Sequence, residues 1–161
     1  MRTLVTVLAV VAALVSGGNQ AAAQVQFGVQ ANLATETDLG IGARVIFPIE
    51  QLLVGMEGIA SFDYFFPDNF DFWELNGNLV VPVRISEGFV PHLGGGLNLG
   101  FFSTDEDVVG FDYGDTEVGL NLVGGFKFRT SSLRPFVEVR ATIAGAEQIV
   151  FTGGILVGGA R

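Results

Sequence analysis

The chain carries one histidine, His92, and no cysteine. That narrows the chemistry open to it. Nucleophilic hydrolysis needs a serine activated by a histidine, with a carboxylate orienting the ring. In an extended segment the same-side neighbours of His92 are Val90 and Gly94. No serine stands beside it, so His92 reads as a polar filler. Structural metal sites draw on clustered His and Cys, and none is spaced that way here. The acidic stretch 105–117 is the other candidate. Asp105, Asp107 and Gly110 match positions one, three and six of a calcium loop. Val109 and Thr116 occupy positions five and twelve, where Asp or Asn and Glu are needed, and Glu117 comes one residue late. The expectation is weak divalent binding at most. Gly94-Gly95-Gly96 precedes no helical pattern and is not a phosphate loop. No cofactor is expected.

The charges with most to say are Arg44, Glu57, Lys127, Glu138 and Arg140. What they can do depends on the elements that hold them. Val25, Phe27, Val29, Ala31 and Leu33 alternate with Gln26, Gly28, Gln30 and Asn32. A period of two means a strand with two different environments. The pattern recurs in strands over Leu39–Phe47, Leu52–Phe65, Phe72–Ile85, Phe89–Phe102, Thr116–Arg129, Arg134–Gly145 and Gln148–Gly159. In the last of these Val150 and Leu156 break the alternation.

The polar face decides what the apolar face meets. A small soluble surface is about 25–35% charged. This chain is 16% charged and 49% hydrophobic, with a mean hydropathy of +0.50. Its polar faces are glycine and amide, which suit a cramped hydrated interior. The apolar face is therefore expected to meet lipid, with Val54, Leu79, Leu97 and Leu120 near mid-strand. Apart from the N-terminal run, no window is apolar enough for a membrane helix, which points to an all-β, eight-stranded antiparallel transmembrane barrel.

The N-terminus reads as an export signal. Met1-Arg2 is followed by an apolar run over Leu4–Val15, then Ser16-Gly17-Gly18 and Ala21-Ala22-Ala23. Cleavage is expected after Ala23, giving a signal peptide of 1–23 and a barrel domain of 24–161. The whole chain has a net charge of −9, so nucleic acid is not an expected partner.

Parity turns Arg44, Glu57, Lys127, Glu138 and Arg140 inward. An eight-stranded barrel is about as wide as its own side chains, so these charges should pair and plug the lumen. A tight turn over Thr130–Leu133 puts Gly125 opposite Glu138, with Lys127 diagonal to it and Arg140 two residues along. A turn over Pro48–Gln51 brings Arg44 near Glu57. Aromatics gather at the strand ends. Phe27, Phe47, Phe89, Phe126, Phe128 and Phe136 mark one end; Phe62, Tyr64, Trp73, Phe101 and Phe151 mark the other. Together they read as two interfacial girdles. Short connections are expected after strands two, four and six. Longer ones should follow the odd strands and carry Glu36, Asp38, Asp68, Asp71, Asp105, Glu106, Asp107, Asp112, Asp115 and Glu147.

From Gln24 onward the chain resembles the outer-membrane beta-barrel domain family, the eight-stranded group of the OmpA transmembrane domain and OmpX. The resemblance rests on the signal peptide, strand count, girdles and turns, and on the stretch Arg134-Pro135-Phe136-Val137-Glu138-Val139-Arg140. It departs from the family at Gly158-Gly159-Ala160-Arg161, where an aromatic residue usually ends the last strand. The resemblance implies a non-enzymatic structural or surface-interaction protein in the outer membrane of a Gram-negative-type bacterium. Its implied partners are outer-membrane lipid and the barrel-assembly machinery. Two alternatives compete. A soluble lipocalin-like barrel binding an apolar ligand would invert the faces and put Phe27 and Leu97 inside. A narrow channel would need an open lumen.

Overall fold

Strands with one apolar face cannot leave backbone donors and acceptors bare in hydrocarbon, and a closed barrel removes the exposed edges. The computed structural model of the chain describes residues 25–49, 55–68, 71–83, 85, 88–103, 115–129, 133–145 and 147–159. Eight strands form: β1 (Gln26–Ala34), β2 (Asp38–Pro48), β3 (Glu57–Phe65), β4 (Asp71–Pro82), β5 (Phe89–Ser103), β6 (Asp115–Phe128), β7 (Arg134–Ile143) and β8 (Gln148–Gly158). Each pairs antiparallel with the next, and β8 pairs back onto β1 to close the barrel.

The expected faces hold over most of the wall. Phe27, Val29, Leu33, Ile41, Leu93, Leu97, Leu120 and Leu122 point outward and are exposed. Phe27 at 54% and Leu97 at 57% exposure rule out the inverted arrangement of a lipocalin-like barrel. Inward-facing Gln30, Asn32, Asp63, Asn76, Asn78, Asn98 and Asn121 are buried.

The lumen is not wholly polar, however. Two apolar layers cross it. Ile46, Ile59, Val80, Val123, Phe136 and Leu156 pack together toward the end that holds both ends of the barrel chain. Ala34, Phe65, Phe72 and Val150, with Phe102 against them, pack at the opposite, loop end. Val150 and Leu156 therefore break the alternation because they face inward. Phe136, expected in a girdle, is an inward residue at 2% exposure. Val25, expected outward, is also buried. Glycines make room for the larger rings. A Cβ at Gly154 would lie 2.6 Å from the ring of Phe136, and one at Gly40 would lie 2.7 Å from the ring of Phe65. Alternating small and large residues is how a small barrel fills its interior.

The turns differ from expectation at two places. β3 starts at Glu57 rather than Leu52. Gly55 does not line the lumen but adopts φ +85° in the turn before β3. That hairpin closes with the Ile49 N–H donating to the Met56 carbonyl at 2.8 Å. The contrast in connection length also shrinks. β1 and β2 are joined by 35–37 and β7 and β8 by 144–147, while β2 and β3 are joined by 49–56. Only 104–114 is a long connection at the loop end. The signal segment 1–23, Leu52, Val54, Arg84, and Asp105, Glu106, Asp107 and Asp112 lie outside the described residues, as do the side chains of Ser103 and Asp115.

Candidate functional site

The chemistry-bearing side chains meet inside the barrel between the two apolar layers. Arg44 on β2 and Glu138 on β7 form a bidentate pair, Nη1 to Oε2 at 2.9 Å and Nη2 to Oε1 at 3.0 Å. Two parallel charge-assisted bonds fix direction as well as distance. Arg44 Nε donates to the side-chain Oε1 of Gln30. The Arg44 guanidinium also lies 4.1 Å from the centre of the Phe136 ring, a cation–π contact. His92 on β5 places Nε2 3.0 Å from Glu138 Oε2. The register sets Gly125 opposite Glu138, as the turn over Thr130–Leu133 implied. Gly125 also makes room for the imidazole, because a Cβ there would come within 3.0 Å of His92 Cε1.

A second centre lies further toward the loop end. Arg140 on β7 spans two carboxylates, donating Nη1 to Asp63 Oδ2 at 3.3 Å and Nη2 to Glu74. Asp63 is the hub. It accepts from Gln30 and from Asn32, the latter at 2.7 Å. It also accepts from Ser61 and Asn76, each at 3.2 Å. Glu74 accepts from Gln148 at 2.8 Å, and Gln148 in turn accepts from the Thr37 hydroxyl at 2.9 Å. Side-chain bonds therefore run unbroken from Thr37 through Gln148, Glu74, Arg140, Asp63, Gln30, Arg44 and Glu138 to His92. Beside this chain an amide cluster binds itself. Asn98 and Asn121 donate to Asn76, Asn121 also to Asn78, and Thr142 donates to Asn121.

All five charges singled out by parity point inward, but their partners are not those that sequence spacing suggested. Arg44 lies opposite Ser61 in the β2–β3 register, and Glu57 lies opposite Pro48. Arg44 reaches across the lumen to Glu138 instead of along the hairpin to Glu57. Lys127 pairs with Glu57 across the terminal mouth rather than with Glu138. Adjacent strands were the only neighbours spacing could supply, whereas in a closed barrel opposite walls also meet. Asp63, Glu74, His92, Gln30 and Gln148 belong to the same network. Their parity was readable, and their height in the barrel was not.

Among the described residues no hydrogen bond joins a serine to His92. The Ser61 hydroxyl donates to Asp63, and His92 is engaged by Glu138. Among the described residues no group of three His, Cys, Asp or Glu side chains could hold a metal ion.

The outward aromatics form ladders. The rings of Trp73 and Phe101 stack with centroids 3.8 Å apart, and Phe62 lies 5.8 Å from Trp73. Tyr64 meets Phe66 at 5.2 Å, and its hydroxyl donates to Asp71. At the other end Phe89 stacks on Phe126 at 4.8 Å and touches Phe128 at 5.7 Å. Phe27 and Phe151 are exposed outward, and Phe47 is half-buried.

No family model matches the chain, and no curated protein matches its sequence. Solved structures do match its shape. Neisserial surface protein A superposes with a TM-score of 0.62 at 17% identity, over 83% of this chain and 95% of that one. The N-terminal barrel domain of Pseudomonas aeruginosa OprF gives 0.63 at 12% identity, over 83% and 97%. Ail, the attachment invasion locus protein of Yersinia pestis, gives 0.54 at 17% identity, over 83% and 94%. At such identities the likeness is one of fold: this chain has the fold of small eight-stranded outer-membrane barrels.

Proposed function

We propose that the chain is a small integral outer-membrane protein with a structural or surface-interaction role and a plugged lumen. On this reading it is non-enzymatic, is exported with cleavage after Ala23, and presents its loop end to the outside. The observation that carries the reading is the inversion of a soluble protein. Aliphatic side chains cover the outside, while Asp63 and Glu74, both at 0% exposure, lie inside with hydrogen-bond partners. Buried charges are tolerated when paired and bonded, and apolar exteriors are stable in lipid. The surface role draws support from two structures of the same fold, whose names describe a surface protein and an attachment invasion locus protein.

The plugged-lumen reading is tested in planar bilayers. The unmodified protein is expected to pass negligible current, and steady ion-selective single-channel currents would favour the narrow channel instead. Membrane placement is tested with spin labels at Leu97 and Leu120. Both should be quenched by lipid-soluble reagents and shielded from water-soluble ones; the reverse pattern would reject it. Intact-mass analysis of membrane-purified protein should give Gln24 as the first residue, and a chain starting at Met1 would contradict export with cleavage.

A further inference from the structure

Charge is distributed unequally between the two mouths. Among the described residues the loop end carries Glu36, Asp38, Asp68, Asp71 and Glu147, whereas Lys127, Arg129 and Arg134 gather at the terminal end. Those three cations line one small cavity of about 40 Å³ that opens in part to solvent. Gln26, Glu57 and the ring of Phe128 complete much of its wall.

Only one carboxylate among the described residues enters this vestibule. It is Glu57, and Lys127 already engages it. Among the described residues the Arg134 guanidinium makes one long bond, donating Nη2 to the Gly159 carbonyl at 3.4 Å. Gly159 holds φ +76°, and a Cβ there would come within 2.6 Å of Arg134 Nη1. The glycine thus lets the chain fold close beneath the guanidinium without displacing it. Arg129 is anchored by its backbone, the N–H donating to the Gly88 carbonyl at 3.0 Å. Its exposed side chain has no carboxylate partner among the described residues.

Among the described residues, three cations and one carboxylate leave an excess of positive charge here, in a protein whose net charge is −9. Like charges around one cavity repel, and apolar wall residues such as Val90 weaken the screening by water. An anion relieves that repulsion. A guanidinium fork matches the oxygens of a phosphate group in both spacing and plane.

We propose that the terminal vestibule is a binding site for a phosphate group, gripped by Arg129 and Arg134 with Lys127 behind them. The group can arrive as free phosphate or as a lipid headgroup, because Phe89, Phe126 and Phe128 mark this end of the barrel as interfacial.

The test uses the folded whole chain in phosphorus-free detergent at low ionic strength. Phosphorus NMR follows the linewidth of added inorganic phosphate, and in a second arm that of phosphatidic acid in the micelle. Saturable broadening that salt reverses is expected in at least one arm. Saturation with inorganic phosphate identifies a free-anion site. Saturation with phosphatidic acid alone identifies a headgroup site. Replacing both arginines, Arg129→Gln with Arg134→Gln, should weaken binding at least about tenfold, as loss of charge-assisted contacts does. Glu57→Gln removes the competing carboxylate and should tighten binding. This second variant decides the matter if the arginine variant does not fold. No saturable broadening in either arm, full binding by the arginine variant, or unchanged or weaker binding by Glu57→Gln would each overturn the proposal.

Discussion

Arg44–Glu138 and Lys127–Glu57 are both ion pairs in one lumen, yet their settings differ sharply. The side chains of Arg44 and Glu138 are 3% and 4% exposed, while those of Lys127 and Glu57 are 10% and 20% exposed. Arg44 has four attachments: two bonds to Glu138, one to Gln30, and the face of Phe136. For Lys127 the one ion-pair partner among the described residues is Glu57, at a mouth that water reaches. Deep in the barrel a charge cannot fall back on solvent, so every partner is needed. At the mouth water replaces a lost partner at little cost. The same pairing chemistry thus acts as structure in one place and as a tunable surface in the other.

The sharpest way to break this contrast is to orphan the deep cation. Glu138→Ala leaves Arg44 without its carboxylate, and breaking a buried pair costs about 3–5 kcal/mol. Urea unfolding of the protein from lipid vesicles should show a loss of that size. A loss near zero would mean that water already reaches Arg44. The next largest effect comes from a cation on the other side of the wall. Leu97→Arg sets a charge near mid-strand on the lipid face and should cost about 2–4 kcal/mol by the same assay.

Replacing both deep partners, Arg44→Met with Glu138→Leu, should be milder than Glu138→Ala alone, because no charge is left unpaired. Equal or greater loss in the double variant would show that the network binds through more than charge balance. The smallest effect is expected at the mouth. Lys127→Met should cost less than any of these, because its partner Glu57, at 20% exposure, can turn to the water at the mouth. A larger loss there would erase the difference between the two centres.

Much of this was readable from residue order. The side-chain period of two sorted Gln30, Asn32, Asp63, Glu74, Asn98 and Glu138 to one face and Val29, Phe62, Leu97 and Leu120 to the other, because successive residues on a strand point to opposite sides. Two inward features stayed hidden. Phe136 looked like a girdle ring, and Val150 and Leu156 looked like noise, since hydrophobicity alone cannot distinguish a lipid-facing side chain from one that caps a polar lumen.

By itself the sequence determined the strand number, the two faces and the inward set of charges. All three follow from local geometry repeated along the chain. Only the closed barrel decided which charges meet. Arg44 and Glu138 are far apart in sequence and sit on strands that are not hydrogen-bonded neighbours. Their contact depends on the height each strand takes in the wall and on the narrow width across it. Strand register and barrel closure set those distances, and no spacing within a single hairpin encodes them.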